Sequence, residues 1–322
     1  GCVIEQAMTM LGPSPKAPRL HERMPVAGMP SAPSAGASSW TRRRLLGAAL
    51  LPWSASGSAW SAPALRLGGM VWQPSRRTVL PRGDWARLGI RSLLVQWTAV
   101  DNLSFMADAG LPLQPPRLPD WDRIAREPWA QEVILGLAGL HAEAAARGAL
   151  PALVAQSRAL CLAAAPWPLR VRGWYFPVEI DPGWQPPPEL PELLNQLPRP
   201  LWVSAYDSAN LGPRALLTWI ERWLPTHVGV LFQDGVGVHA RVPSVARDYL
   251  RQLTARLGRA RVQVIAEAFR PAPGGGFRSA TAAEFLPQLE AYQDWSIFAF
   301  DGPHYLSTEL VQDLVAAGVG PH

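Results

Sequence analysis

The strongest constraint on the fold is a repeated alternation of short apolar runs with longer helical or irregular stretches, from Leu65 onward. Short runs rich in Val, Ile, Leu and Trp are typical of buried parallel strands, and the stretches between them suit crossover helices. The runs are Leu67–Trp72, Ile90–Trp97, Glu132–Leu137, Arg172–Ile180, Leu201–Tyr206, Val228–Phe232, Val262–Ala266 and Ser296–Phe300. This pattern predicts a parallel sheet covered by helices.

The number of β-then-α units distinguishes between two parallel-sheet folds. Eight units over about 255 residues match the length of a single (β/α)8 TIM barrel. The alternative is an open doubly wound sheet. Its nucleotide-binding version lacks its phosphate loop here, because Gly68 and Gly69 precede Met70-Val-Trp72 in the first run and no glycine-rich loop follows that run. We therefore predict an α/β protein with one TIM-barrel domain over residues 63–322. Its predicted helices are His141–Ala165, with possible interruptions at Gly148 and Pro151, and Leu190–Gln196, Arg214–Trp223, Val245–Leu257, Ala282–Tyr292 and Thr308–Ala317.

The N-terminal part has the pattern of an export signal. Arg42-Arg-Arg44 precedes a short apolar segment and then small residues up to Ala62, which predicts a signal peptide of the twin-arginine type over residues 41–62. An uncleaved anchor is the alternative. Residues 1–40 are predicted to be a disordered or mis-annotated extension. The apolar segment is shorter than the roughly 20 residues that cross a bilayer, so we expect a periplasmic or secreted protein without a stable membrane span.

The positive charge of the chain does not indicate nucleic-acid binding. The formal net charge is +5, but residues 1–62 contain six of the basic residues and only two acidic ones. The predicted barrel is therefore close to neutral and has no general basic surface. We expect no nucleic-acid partner; protein partners are not indicated.

Polar residues stand at the ends of the predicted strands. The C-terminal ends of barrel strands form the catalytic face, and acids or amides follow every strand except the third. A single acid in such a place is more often a cap or a solvated residue, but the repeated pattern favours a polar site. The residues at these ends are Gln73, Trp97, Asp101, Glu179, Asp181, Tyr206, Asp207, Gln233, Asp234, Glu267, Asp301 and His304.

Glu179 and Glu267 close the fourth and seventh runs, and two such carboxyl groups match the requirements of a glycosidase, which needs one protonated and one ionised. The apolar residues before Glu179 predict a raised pKa and a role as general acid/base, with Glu267 as nucleophile of a retaining reaction. This placement resembles the large superfamily of retaining TIM-barrel glycosidases. Those enzymes commonly have Asn where Val178 stands, so Asp181 and Asp234 compete for either role. An inverting scheme with Glu179 and Asp234 also stays open.

The remaining candidates are predicted to bind a sugar. Trp97, Trp184 and Tyr206 have flat rings that can stack on pyranose faces, whereas alternation predicts Trp174 and Trp202 in the core. Hydrogen bonds to sugar hydroxyls are expected from Gln73, Asp181, Gln233, Asp301 and His304.

Neither a metal nor another cofactor is predicted. Asp301 and His304 could bind a metal together, but a hydrogen-bonded loop histidine is the favoured interpretation. Gly274-Gly-Gly276 has no Lys-Ser/Thr after it and is read as a flexible loop or hairpin. Cys161 is expected to be a buried small side chain without a catalytic role.

Two motifs resemble a named group of proteins. Gly173-Trp-Tyr-Phe-Pro-Val-Glu-Ile-Asp181 and Phe232-Gln-Asp-Gly-Val-Gly-Val238 are similar to the bacterial family called domain of unknown function 4434, over roughly residues 66–318. The resemblance implies an exported TIM barrel with a glycoside-hydrolase-like site, and no particular substrate. From sequence we thus expect a carbohydrate-hydrolysing enzyme. The alternative is a non-catalytic barrel that binds polysaccharide in an envelope or exopolysaccharide system.

Overall fold

The structure is a computed structural model that describes residues 65–75, 78–112, 117–164 and 167–321. These residues belong to one compact unit. The predicted signal peptide and the extension before it lie outside the described residues.

Eight parallel strands form a closed barrel, which confirms the predicted (β/α)8 fold. Each strand pairs with its neighbour in sequence, and the last strand closes the barrel by pairing with the first, with Gly69 opposite Phe298. The strands are β1 (Gly69–Trp72), β2 (Ser92–Val95), β3 (Glu132–Gly136), β4 (Val171–Tyr175), β5 (Leu201–Ala205), β6 (Val228–Gln233), β7 (Val262–Glu267) and β8 (Ile297–Phe300).

Helices connect most of the strands. They are α1 (Trp121–Ile124), α2 (Glu143–Gly148), α3 (Leu150–Ala164), α4 (Leu190–Asn195), α5 (Pro213–Trp223), α6 (Pro243–Leu257), α7 (Ala282–Tyr292), α8 (Gly302–Tyr305) and α9 (Thr308–Ala316). The predicted helix 282–292 has the predicted bounds, and its N-terminus is a capping box in which Thr281 and Glu284 bond each other's backbone. Within the described part of the chain, no helix is long and apolar enough to cross a membrane.

The alternation of side chains along the strands produces two apolar regions. Outward-facing strand residues pack under the helices, while inward-facing ones fill the barrel. The apolar side chains inside the barrel include Val71, Leu94, Ile134, Leu231, Ile265 and Phe298. Trp202 also packs with this interior group, against Gly229, whereas Trp174 packs with the helix layer. Both tryptophans are half-buried and pack against core residues, on opposite sides of the barrel wall.

The fourth strand is shorter than predicted. It ends at Tyr175, and Pro177 follows two residues later, without the N–H that would continue the ladder. Pairing resumes only at Ile180, whose N–H donates to the carbonyl oxygen of Ser204 at 2.9 Å. Glu179 therefore lies beyond the strand on an irregular extension.

Three local features lie around the barrel. The helix predicted from residue 141 is interrupted at Ala149, beside the predicted interruption at Gly148, and so forms α2 and α3. The N-cap of α5 is Gly212, whose N–H donates to the carboxylate of Asp207 at 2.7 Å. The loop after β2 contains Ala99–Val100 and Leu103–Ser104, which form a small sheet with residues 138–139. The predicted glycine-rich hairpin is confirmed, with Phe269–Pro271 pairing antiparallel to Phe277–Ser279.

Candidate functional site

Glu179 lies at the mouth of the barrel, where its carboxylate contacts the end of β6. Only 3% of the residue is exposed, and its Oε2 accepts a hydrogen bond of 2.6 Å from Nε2 of Gln233. Gln233 is paired in register with Ile265 of β7, so its side chain points into the barrel. The prediction that Glu179 and Gln233 share one site is therefore consistent with their contact.

Glu267 is the last residue of β7 and lies two residues beyond Ile265 on the same inward face. It is 2% exposed, its Oε2 accepts from the N–H of Val238 at 3.2 Å, and its Oε1 has no hydrogen-bond partner within the protein. Burial, and then the nearby charge of Asp234, raise the pKa of Glu267 to about 8. Both effects favour the protonated form of this carboxyl group.

Asp234 is enclosed behind Glu267. Its Oδ1 accepts from the backbone N–H groups of Glu267 and Val236, at 3.2 and 3.3 Å. Its Oδ2 accepts from Gln288 Nε2 at 2.6 Å and from the Tyr292 hydroxyl at 3.1 Å, both on α7. The structure therefore turns this carboxyl group toward the helix layer and fixes the backbone of Glu267, which differs from the competing catalytic role expected from sequence.

The segment from Gln233 to Val238 contacts both glutamates. Gln233 bonds the carboxylate of Glu179, and Val238 bonds that of Glu267. Gly237 packs directly on Glu267, because a Cβ atom there would lie 2.7 Å from the Glu267 Cβ. This segment belongs to the second of the two sequence motifs. Its amide side chain at Gln233 provides the hydrogen-bond donor to Glu179, and the missing side chain of Gly237 leaves room for Glu267.

Gln73 and Asp301 extend the site along β1 and β8. Oδ2 of Asp301 accepts from the Gln73 backbone N–H at 3.1 Å and lies 2.9 Å from Nδ1 of His304. The other carboxylate oxygen, Asp301 Oδ1, and the Gln73 side-chain Nε2 are buried without a hydrogen-bond partner in the protein. Burial raises the pKa of Asp301, and His304 opposes that rise. Together with Glu267 Oε1, three unpaired polar atoms lie at the ends of three adjacent strands, where a polar ligand would satisfy them.

Aromatic rings enclose the β7–β8 side of the mouth. The ring of Phe269, two residues after Glu267, lies 4.7 Å from that of Phe277 and 5.0 Å from that of Tyr305. Phe300 packs against the same ring at 6.2 Å. This cluster provides the apolar surroundings in which an unpaired carboxyl group retains its proton.

Three of the predicted ligand-binding residues have other surroundings in the structure. Trp97 is 2% exposed and donates to the carbonyl oxygen of Pro74, so it is a core side chain. The carboxylate of Asp181 accepts hydrogen bonds from the backbone N–H groups of Gly183 and Ser208, so it connects the loops that follow β4 and β5. Tyr206 is also buried, with the Arg241 guanidinium 5.2 Å from its ring.

Trp184 is the predicted aromatic residue that remains half-buried. Its ring stacks on that of Trp219 with centroids 5.6 Å apart, and the Arg147 guanidinium carbon lies 4.9 Å from its centroid. Of the three aromatic ligand candidates, it alone keeps partial solvent access.

Sequence reasoning missed Glu143 and Arg147 on α2. Oε1 of Glu143 accepts from the Glu179 N–H at 2.9 Å, and Arg147 Nη2 donates to the Glu179 carbonyl oxygen at 2.8 Å. Burial, and then the negative charge of Glu179, raise the pKa of Glu143 to about 8. The available signal was a pair of opposite charges four residues apart after β3, a spacing that also occurs on ordinary solvent-exposed helices.

Neither a metal site nor a reactive thiol is evident in the described residues. They include no group of three or more His, Cys, Asp or Glu side chains placed to hold a metal ion. Cys161 is a half-buried free cysteine on α3, and burial raises the pKa of its thiol to about 12. The neutral thiol form is a poor nucleophile.

Comparison with known proteins identifies the fold and not the family. No protein-family model matches the chain, and no curated protein matches it. The crystal structure of "a putative alpha-L-fucosidase" from Bacteroides thetaiotaomicron VPI-5482 is similar, with a TM-score of 0.57 and 14% sequence identity. The match covers 79% of this chain and 94% of that one. This similarity supports the TIM-barrel fold of the chain.

Proposed function

We propose that this protein is a glycoside hydrolase that acts on an oligosaccharide or polysaccharide with two carboxyl groups, Glu179 and Glu267. The observation that carries the proposal is the contact of one segment, Gln233–Val238, with both groups. Glycosidases need two carboxyl groups in different protonation states at one site, and different surroundings produce that difference.

The sequence predicts Glu179 as general acid/base and Glu267 as nucleophile, but the surroundings of the two carboxyl groups support the reverse assignment. A nucleophile must be ionised, whereas burial and the nearby Asp234 raise the pKa of Glu267 and favour its protonated form. Glu267 therefore suits the general acid, which gives its proton to the glycosidic oxygen as the bond to the anomeric carbon breaks. Glu179, whose carboxylate accepts from Gln233, suits the nucleophile that bonds to that carbon. Water then attacks the anomeric carbon, releases Glu179 and returns a proton to Glu267.

A sugar is the ligand class that best matches the unpaired atoms. Gln73 Nε2 can donate to a hydroxyl oxygen, and Asp301 Oδ1 can accept from a hydroxyl hydrogen. The structurally similar protein is described as "a putative alpha-L-fucosidase", which supports a glycoside as the substrate class. Membership of the domain of unknown function 4434 family and export by the twin-arginine route are part of the same proposal, and they rest on the motifs quoted above.

The alternative function is that of a carbohydrate-binding barrel without catalysis, in an envelope or exopolysaccharide system. The near-complete burial of both glutamates favours it, because a substrate must displace covering groups to reach them. Turnover distinguishes this alternative from the hydrolase.

The test is a glycan-library screen for both binding and hydrolysis with the wild type, Glu179→Gln and Glu267→Gln. We expect each substitution to lower turnover of the best substrate by about 10²–10⁴-fold, since each removes an acid, base or nucleophile. Glu132→Gln, at the start of β3 and far along the strand from the mouth, is the matched control. Turnover that survives both substitutions would contradict the assignment, and binding without wild-type hydrolysis would support the non-catalytic alternative.

A further inference from the structure

The backbone of Glu179 lies where the sheet no longer provides hydrogen bonds on one side. Ile180 uses both its N–H and its carbonyl for β5, through Ser204 and Tyr206 at 2.9 Å each. In an extended chain, the backbone N–H and carbonyl groups of successive residues point to opposite sides. The N–H and carbonyl of Glu179 therefore face the β3 side. That strand has already ended at Gly136.

Helix α2 supplies the missing donor and acceptor. The N–H of Glu179 donates to Glu143, and the carbonyl oxygen of Glu179 accepts from Arg147. Glu143 and Arg147 are four residues apart, hence one helical turn apart on one face, and Nε of Arg147 lies 3.3 Å from Oε1 of Glu143. The Glu143 carboxyl group and the Arg147 guanidinium, side by side on one helix, therefore bind both backbone groups of one residue.

We propose that Glu143 and Arg147 are positioning residues that set the location of the Glu179 carboxylate by holding its backbone on both sides. The inference rests on the proposed function for its catalytic meaning. Three residues lie between the end of β4 and Glu179, so the pair restrains the backbone at a point where the strand has already ended. A displacement of about 1 Å is enough to reduce a catalytic rate by about 10²-fold.

The same pair connects Glu179 to the half-buried tryptophan of the site. Arg147 places its guanidinium over the ring of Trp184 while it bonds the Glu179 carbonyl. The charged groups that face Glu143 are Glu179 from the β4 extension and Arg147 from its own helix. A proton on Glu143 removes its repulsion of the Glu179 carboxylate and leaves Oε1 free to accept the backbone hydrogen bond.

The direct test is hydrogen exchange of the Glu179 amide, followed by NMR in the full chain. We expect Glu143→Ala to accelerate this exchange by about ten-fold, the change expected on losing one hydrogen bond. Glu143→Gln keeps an acceptor oxygen and should retain most of the protection. Glu127→Ala breaks another pair with i,i+4 spacing, Arg123–Glu127, and is the matched control with unchanged Glu179 exchange. Unchanged exchange in Glu143→Ala would overturn the proposal.

The catalytic part is tested with a glycoside that the wild type hydrolyses. Glu143→Ala should lower kcat by about 10–10²-fold while KM changes less than about threefold, because the substrate contacts remain and the reacting group is misplaced. Glu143→Gln should lose less kcat than Glu143→Ala. A Glu143→Ala enzyme with wild-type kcat would overturn the positioning role. If the wild type hydrolyses no glycoside, the proposed function fails, and hydrogen exchange still decides whether the pair holds Glu179.

Discussion

Glu179 and Glu267 follow similar apolar runs in the sequence, but different parts of the fold hold them. Glu267 is inside a strand, and Asp234 and Val238 of the β6 loop bond its backbone and its carboxyl group. Glu179 lies beyond its strand, and two side chains of α2 hold its backbone. The comparison shows that a position near a strand end does not decide how a carboxyl group is supported or whether it is protonated.

Asp234, which bonds the backbone of Glu267, is more deeply buried than Glu143 and Arg147, which bond the backbone of Glu179. Removing the Asp234 carboxyl group should therefore have the largest effect on stability. We expect Asp234→Ala to lower the free energy of unfolding by about 3–5 kcal/mol, because Gln288, Tyr292 and two backbone N–H groups lose their acceptor in the interior. Urea denaturation at pH 7 measures this change. Asp234→Asn, which keeps an acceptor oxygen, is the control and should lose less. A loss below about 1 kcal/mol for the alanine variant would show that these groups find other partners.

The protonation of Glu267 should make stability depend on pH. Its pKa is raised from 4.5 to about 8, so between these values the folded protein keeps a proton that the unfolded chain loses. The free energy of unfolding therefore falls as pH rises through this window, by at most about 1.4 kcal/mol per pH unit for one proton, and levels off above pH 8.

Substitution separates the contributions of the two sites to that pH dependence. The pKa of Glu143 is also raised, from 4.5 to about 8. Glu143 therefore adds a second decrease in the free energy of unfolding over the same pH range. Urea denaturation at pH 5, 6.5 and 8 should give a shallower slope for Glu267→Gln and, separately, for Glu143→Gln. Equal slopes for Glu267→Gln and the wild type would mean that Glu267 is already ionised at neutral pH, which would restore its role as nucleophile.

The close approach of Gly237 to Glu267 provides a smaller and more local perturbation. A methyl group at this position meets the Glu267 side chain and the Phe269 carbonyl oxygen, at 2.7 and 2.8 Å, so Gly237→Ala should lower the unfolding free energy by about 1–3 kcal/mol. Gly148→Ala on α2 is the control, since nothing lies within 4 Å of its added Cβ. We expect that control to be neutral or to stabilise by about 0.5–1 kcal/mol, as measured by thermal and urea denaturation.

The sequence predicts most of the fold and a smaller part of the site. Hydrophobic periodicity is a local property, so it located all eight strands and defined the helix 282–292 at both ends. Pro177 is the local signal that β4 ends early, but the sequence does not show how far this displaces Glu179 from the strand. Trp97 and Asp181 were placed near the mouth by their position in the chain, but their partners, Pro74 and the backbone of residues 183 and 208, decide their structural roles.

The sequence by itself determined the barrel, because the alternation of apolar runs with helices leaves few ways to bury both faces of every strand. It also placed Glu179 and Glu267 at the same end of that barrel. Only the tertiary structure decided which groups surround them, since Gln233, Asp234, Glu143 and Arg147 reach the two glutamates from other elements. A carboxyl group's protonation depends on its burial and on the charges around it, and chain folding is what brings those charges together.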